Sequence, residues 1–489
     1  MEHTDIAVIG AGVLGCFAAR ALTAYDLHVT VLEAREDACT GITRANTGIV
    51  YTGCDTAPGT LKTELCVRAN REFDALCREL DVRFSRCGSL MLAFGARAEG
   101  VLRRKLAAGR AAGVPGLRLL DRAETLALEP GVSGRVTMSL YAPGTGTVNP
   151  WELGLAAFEN ARRNGARFRF GEEVTRMTRR GRGFVLETPK GEYTARCVVN
   201  CAGLNAATVR ELTQLPSVRI FPTAGDYLVL DDTVPGAPRH VLFHEPEEKG
   251  KGLTLVPTVD GNVLLGPTER PRESAADWAT AQSGLAQLRA LCAEVVPALP
   301  LDAVIRSFSA LRPNPFYVHA AAGQWVPEDR SISSFTLLEE DGLYSMIGIK
   351  TPGLTCAHVL GQRLAAMAAE YLGGVGPNRS FDPVRRAIPA VHAMDGASRR
   401  ALAARCGDYG EIVCHCRDVT RGEVLEAIRR GAVTLDGIKR RTGAGMGRCQ
   451  GARCLMPLLQ TLAEETGLRA EEVTKDGAGS AVVQQDGTL

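Results

Sequence analysis

The chain opens on a short β-branched apolar run, Asp5-Ile6-Ala7-Val8-Ile9, which predicts a buried strand. Gly10-Ala11-Gly12-Val13-Leu14-Gly15 follows at once, and the small and apolar residues from Cys16 to Leu22 predict a helix. A second run, His28-Val29-Thr30-Val31-Leu32, predicts another strand and ends in Glu33, eighteen residues beyond Gly15. A lone G-x-G-x-x-G says little in a chain with 53 glycines. Placed between strand and helix, with a second strand and an acid behind it, the motif has the setting of a dinucleotide-binding turn. Gly10 then permits the tight turn, Gly12 lets backbone N–H groups reach a pyrophosphate, Gly15 lets helix and strand approach, and Glu33 can accept from ribose hydroxyls.

Helical and strand-like patterns alternate irregularly up to about residue 375, with no internal repeat and no low-complexity linker. Asn149-Pro150-Trp151 opens an amphipathic helix through Ala161, and Val174 follows Glu172-Glu173 at a predicted strand. Asp226–Leu230, Leu253–Pro257 and residues 262–267 read as strands separated by turns. Leu343–Ile349 predicts a strand, Lys350-Thr351-Pro352-Gly353 a turn, and Leu354 to Tyr371 a helix. Residues 376–404, rich in Pro, Arg and Ala, read as a connecting arm. At roughly 100–200 residues per domain, the length of 489 suggests about three domains.

Charge adds little to this picture. Fifty-seven basic against 55 acidic residues leave +2, so no overall field recommends nucleic acid or an anionic membrane. No apolar stretch approaches the ~18 residues that span a bilayer, and the first ten residues lack a signal-peptide pattern, so a cytoplasmic address without a direct membrane span is expected. Thiols stay reduced there, and of the fifteen cysteines most should be small buried hydrophobes.

Three further segments carry a family resemblance. Thr43-Arg44-Ala45-Asn46-Thr47-Gly48-Ile49-Val50-Tyr51-Thr52-Gly53 and Pro58-Gly59-Thr60-Leu61-Lys62 resemble a stretch of D-amino-acid-oxidase-like flavoproteins, in the branch of FAD-dependent glycerol-3-phosphate dehydrogenases and L-2-hydroxyglutarate oxidoreductases. Cys197-Val198-Val199-Asn200-Cys201-Ala202-Gly203 resembles the strand end that runs beneath the dinucleotide there. The loop from Gly348 to Leu354 resembles the one placed at the flavin, where a helix N-terminus with free N–H groups would stabilise an anionic reduced ring.

The resemblance implies an α/β fold: a Rossmann-type FAD-binding domain over 1–85, 146–215 and 336–375, interleaved with an antiparallel-sheet substrate domain over 86–145 and 216–335. It implies FAD contacts at Gly10, Gly12, Gly15, Glu33, Arg44, Ala45, Asn46, Thr47, Gly48, Val174, Ala202, Gly203, Gly348, Gly353 and Leu354. Lys251 and Arg312 match positions that bind the anionic end of substrate, a task that suits the planar arginine fork. Two departures bear on the substrate. Tyr51 stands where relatives carry the histidine expected to remove the hydroxyl proton, and a phenol with pKa about 10 is a poor base at neutral pH. Either Tyr51 works with Lys350 or Lys251, beside Thr351, or the base lies elsewhere, or the substrate differs. Ala224 stands where a basic residue is common, and Lys350 is unusual in its turn.

The remaining chemistry is at the C-terminus. Cys414-His415-Cys416 is followed, after 32 residues, by Cys449 and Cys454. With Lys439-Arg440-Arg441-Thr442 and Gly445-Met446-Gly447-Arg448-Cys449-Gln450-Gly451, this resembles the bacterioferritin-associated ferredoxin-like [2Fe–2S] domain, over 405–475 with a tail at 476–489. The domain is expected to be small and helical, with a helix from Thr420 to Arg430. Four thiolates suit such a cluster, and zinc is the rival. The spacing lacks the paired C-x2–4-C of common zinc folds, glycines 445, 447 and 451 leave N–H groups near the sulfurs, and the acid-free basic run with Arg453 can offset cluster charge. Cys406 reads as an ordinary thiol and His415 as solvent-facing.

A flavin accepts two electrons at once and an iron–sulfur centre passes them singly, so the pair makes sense if electrons leave through the cluster. The expected function is an FAD-dependent dehydrogenase of a small anionic alcohol, glycerol 3-phosphate first and an L-2-hydroxy acid second. A second flavoprotein or an iron–sulfur subunit is the implied electron-accepting partner, through which the protein could sit at a membrane. An amine or amino-acid dehydrogenase and a non-catalytic electron-transfer or scaffold subunit remain as alternatives.

Overall fold

The computed structural model describes residues 1–244, 252–272, 277–321 and 323–484, so Lys251 lies outside the described residues. The chain divides into two compact units, Met1–Ala34 with Cys39–Pro383, and Arg35–Ala38 with Val384–Leu489.

In the first unit, strands Glu2–Ile9, Val29–Glu33, Arg167–Phe170, Gly191–Asn200 and Leu343–Ile347 pair in parallel. Parallel strands are covered on both faces and therefore read as continuous apolar runs. Ile6, Ala7, Val8, Cys197, Val198 and Val199 are indeed fully buried. Strands Arg176–Arg180, Gly183–Thr188 and Thr336–Glu340 extend this sheet in antiparallel fashion. Val174 is not on a strand: it lies in an irregular stretch before Arg176, because the chain leaves the sheet at Phe170 and re-enters only there. Helix Val13–Leu22 crosses helix Gly353–Tyr371 closely, since a Cβ on Gly361 would stand 2.7 Å from the Phe17 carbonyl carbon.

The second sheet of this unit is built around strands Val218–Leu230 and Val304–Ala321, which pair antiparallel with Arg312 opposite Thr223. Strands from residues 89–142, 241–244, 254–257 and 263–265 complete it. Its far face packs on helix Gln282–Val295 through Leu90, Leu228, Leu255, Leu288 and Cys292.

The second unit is mainly helical, with Arg421–Arg429, Leu435–Thr442 and Leu455–Thr466 around a core of Val424, Ile438, Leu459 and Val473. Thr420 caps the first of these helices in a reciprocal box with Glu423. The expected arm is divided: 376–383 belong to the first unit, while 384–404 join the second and include most of the helix Gly396–Arg405. The expected tail is packed in part, because Asp476 pairs with Arg440 at 2.9 Å.

Asp37 is the surprise. It is 1% exposed and accepts from Arg441 at 2.7 and 2.8 Å and from Arg440 at 3.1 Å. Burial alone would lift its carboxyl, but the Arg441 and Arg440 guanidiniums outweigh it and hold the pKa below the usual range. A depressed folded-state pKa stabilises above the unfolded value near 4 and ceases to do so as pH falls through the folded value. Asp37→Asn removes the carboxylate that two buried cations share, of which Arg440 keeps Asp476, and is expected to destabilise this unit by about 3 kcal/mol at pH 7, the lower end for breaking a buried pair. Urea unfolding of the full chain checks this, and the difference between variant and wild type should shrink below pH 4.

Candidate active site and cluster module

Gly10, at φ +97°, turns the chain under the end of strand Gly191–Asn200, and a Cβ there would lie 2.7 Å from the Cys201 carbonyl oxygen and 3.0 Å from Ala202 Cα. A Cβ on Gly15 would lie 1.9 Å from the Gly10 carbonyl oxygen. Gly12, which begins helix Val13–Leu22, has nothing nearer its Cβ position than Thr43 Oγ1 at 3.5 Å, and that helix has neither a side-chain cap nor an acid in its first turn. A tight, uncapped turn with room above Gly12 is the shape a pyrophosphate needs. Glu33 ends the second strand with Oε2 accepting from the Ala11 N–H at 2.7 Å, which fixes the carboxylate beside the turn. Helices Leu61–Glu79 and Pro150–Arg163 are by contrast capped, by Thr60 and by Asn149, whereas helix Gln282–Val295 also starts without a side-chain cap.

Thr43 accepts from Val13 N–H, and Asn46 holds the next turn by donating to the Thr43 carbonyl and accepting from Gly48 N–H. The Arg44 carbonyl accepts from the Trp151 indole, while its guanidinium lies 5.1 Å from the Trp278 ring centre. Ala45 is buried against Tyr227 and Val256. A Cβ on Gly48 would strike the Val148 carbonyl at 2.4 Å. Gly203 has φ +59°, with Ile42 Cδ1 3.6 Å from its Cβ position, and Val174 is buried with Ala7, Ile9 and Leu32.

Helix Gly353–Tyr371 likewise starts without a side-chain cap or first-turn acid. Gly353 N–H donates to the Lys350 carbonyl and Cys356 N–H to the Pro352 carbonyl. Gly348 packs against Pro315, where a Cβ would meet the ring at 2.4 Å. Thr351 is exposed, and Thr355 instead ties the Tyr51 N–H at 3.1 Å.

Arg312 comes from the middle of its long strand and is 9% exposed. Nη2 donates to the Thr268 carbonyl at 3.2 Å, and among the described residues Nη1 has no hydrogen bond, only Glu269 at 3.5 Å. Lys350 donates to Asn314 Oδ1 at 2.9 Å, and burial together with Arg312 lowers its pKa against the opposing pull of Glu269. Tyr51 lies 6.0 Å from Phe243, ring to ring. Burial first, then Asp55 and Tyr227, raise its pKa above the ordinary 10, so the phenol keeps its proton at neutral pH. Burial thus disfavours the phenolate that a base at that position would need. Ala224 faces Arg270 in the neighbouring strand, and Arg270 clasps the fully buried Asp226 at 2.9 Å. Arg270 thus lies opposite Ala224 in the register while its guanidinium is held by Asp226.

Sequence reasoning passed over Lys62, Asn314 and Glu269. Lys62 had a signal: it sits at the start of the buried stripe Cys66, Ala69, Asn70 and Phe73 of helix Leu61–Glu79, where a lysine is out of place.

In the second unit Cys414 contacts Cys454, and Cys416 contacts Cys449. Among the described residues no three His, Cys, Asp or Glu side chains surround a point that one metal ion could occupy. The expected four-thiolate set closes as two pairs, because each C-x-C member meets a different partner across the fold. Two sulfurs per iron is what a two-iron cluster asks for, whereas zinc needs all four on one ion. Gly445 N–H points at Cys414 Sγ at 3.5 Å. The basic run is only partly available to the cluster, since Arg440 and Arg441 are held by Asp37. His415 is exposed, as is Cys406.

Residues 5–367 match the DAO family model, described as FAD dependent oxidoreductase. The chain belongs to this family. FAD is accordingly its cofactor, and the uncapped glycine turn described above fits it. Residues 412–464 match a BFD-like [2Fe-2S] binding domain. Over 481 residues the chain is 35% identical to a glycerol 3-phosphate dehydrogenase of Caloramator mitchellensis, covering 98% of both chains. It is 29% identical to the human mitochondrial L-2-hydroxyglutarate dehydrogenase over 286 residues, 54% of this chain and 60% of that one. The L-alpha-glycerophosphate oxidase of Mycoplasma pneumoniae, solved with FAD bound, shares the fold with a TM-score of 0.72 at 22% identity, over 79% of this chain and 99% of that one. The FAD complex of a Bacillus halodurans glycerol-3-phosphate dehydrogenase does so at 0.68 and 19% identity, over 96% and 92%. Among the described residues no helix is long and apolar enough to cross a membrane.

Proposed function

We propose that this family member dehydrogenates a small secondary alcohol carrying an anionic group, with glycerol 3-phosphate to dihydroxyacetone phosphate as the first assignment, and that electrons leave through the [2Fe–2S] domain to a partner protein. The observation that carries the reading is Arg312, nine-tenths buried with one guanidinium nitrogen lacking a hydrogen bond beside the Lys350 ammonium. A buried, incompletely paired fork is costly unless an anion completes it. The full-length likeness to the Caloramator protein supports the phosphate over the carboxylate.

When bound, FAD takes up the two electrons and the hydrogen released from a C–H bond. The chain's own residues do the rest. Gly10, Gly12, Gly15 and Glu33 would hold the dinucleotide, with Arg44 to Gly48 and Gly348 to Leu354 along its flavin half. Arg312 and Lys350 would orient the substrate anion, and Tyr51, Tyr227 and Phe243 wall the pocket from water. Cys414, Cys416, Cys449 and Cys454 would ligate the cluster. A second flavoprotein or iron–sulfur subunit would accept its electrons.

Anaerobic reduction of the bound flavin tests the assignment with glycerol 3-phosphate, L-2-hydroxyglutarate, proline and glycine in turn. Glycerol 3-phosphate is expected to bleach the flavin fastest. The L-2-hydroxy acid is the second reading, favoured by the human relative. Bleaching by an amino acid alone would replace both with amine chemistry, and bleaching by none would leave an electron-transfer or scaffold subunit.

A further inference from the structure

Lys62 is 7% exposed at the start of helix Leu61–Glu79, and among the described residues no oxygen accepts a hydrogen bond from its Nζ. Its amine instead faces the Phe335 ring, 5.3 Å from the centre. The groups around it that titrate are Lys350 from the turn after strand Leu343–Ile347, Cys356 from the first turn of helix Gly353–Tyr371, and Cys66 one turn along its own helix. Cys66 in turn donates to the Tyr51 carbonyl. Lys62 thus lies beside the backbone of the position where relatives carry the histidine, and beside the lysine that faces Arg312.

We propose, resting on the alcohol-dehydrogenase reading above, that Lys62 is the general base of the reaction. The substrate O–H bond breaks, and its proton forms the third N–H bond of a Lys62 ammonium. The C–O single bond becomes the ketone C=O, and the carbinol hydrogen departs with its electron pair to oxidised FAD, the two-electron acceptor the family supplies.

Two amines compete for this role, and their surroundings divide them. Lys350 donates to Asn314 Oδ1 at 2.9 Å and to Ser331 Oγ at 3.5 Å, so although burial lowers its pKa two acceptors hold its charged form, and it serves the anion. Among the described residues Lys62 has no acceptor to hold a proton. Burial first and the Lys350 charge second push it down to about 8, with Cys356 and Cys66 opposing. A base near the working pH is the most effective one. A merely structural lysine would instead send its amine to solvent along an apolar stem.

Lys62→Met keeps the stem and removes the base, and Lys62→Ala leaves room for a free amine. Anaerobic stopped-flow reduction of the flavin by glycerol 3-phosphate between pH 6 and 10 should show a wild-type rate that climbs through a break near 8. In Lys62→Met the rate at saturating substrate should fall by at least about 100-fold, without that break, while the substrate Kd stays within about threefold. Methylamine should restore part of the rate to Lys62→Ala. A retained break, or a loss confined to Kd, overturns the proposal. A second measurement does not depend on the substrate: competitive acetylation of the holoprotein by acetic anhydride across the same pH range, read at Lys62 by mass spectrometry. A break near 8 supports the assignment, and one at the ordinary lysine value of about 10.4 defeats it. If no alcohol bleaches the wild-type flavin while Lys62 still breaks near 8, the substrate reading fails and the free amine stands.

Discussion

Arg312→Met is expected to weaken binding of the anionic alcohol by about 100- to 1,000-fold, with much of the flavin reduction rate regained at saturating substrate. Truncating one member of a buried charge pair costs about 2–5 kcal/mol, and each 1.4 kcal/mol is tenfold in affinity. The middle of that range applies because Arg312 is 9% exposed and, among the described residues, its Nη1 has no hydrogen bond, only Glu269 at 3.5 Å, so an anion can complete the fork. Arg312→Lys should recover little, because an ammonium cannot reproduce the two-pronged contact and would lose the bond to the Thr268 carbonyl. A substrate titration of flavin absorbance under argon measures both. A loss that appears only in the limiting rate would move Arg312 from binding to the chemical step.

Cys416→Ser combined with Cys449→Ser is expected to remove iron and acid-labile sulfide from the protein while leaving anaerobic flavin reduction by substrate within about threefold. Turnover with a one-electron acceptor protein should then be abolished. This pair is the more exposed of the two, so serine costs the fold less than it would at the buried Cys414 and Cys454. Metal analysis of the unaltered protein is the companion measurement: zinc without sulfide would sink the electron exit, and the double variant would then lose zinc instead.

The nucleotide half of the site was legible because its signals are local. Strand, turn, helix and acid follow each other within 33 residues, and burial on both faces writes the strands as unbroken apolar runs. The substrate half was harder to read. Residues 310–315 look like a proline-broken loop, yet they run through the middle of an eighteen-residue strand. Pro313 lies directly opposite Pro222, and two residues without N–H groups can face each other where an antiparallel ladder makes no bond. Asp37 was beyond reach, since its partners Arg440 and Arg441 stand 403 and 404 positions away and nothing local marks the contact. The histidine missing from position 51 was plain in the sequence, but the neighbour with a displaced proton was not, because burial and charge are set by the fold.

The close crossing at Gly361 ties the two uncapped helices, Val13–Leu22 and Gly353–Tyr371, into one rigid piece. In the proposed binding mode, a cofactor that would grip the first helix at its pyrophosphate and meet the second at its flavin ring would act as a strap across that piece. Its binding energy then counts toward the folding of both halves of the unit, and thermal resistance rises with free FAD as mass action requires. Loss of the flavin consequently loosens the substrate turn at Lys350 along with the nucleotide turn at Gly10, so starvation for the cofactor removes the catalyst and its shape in one event.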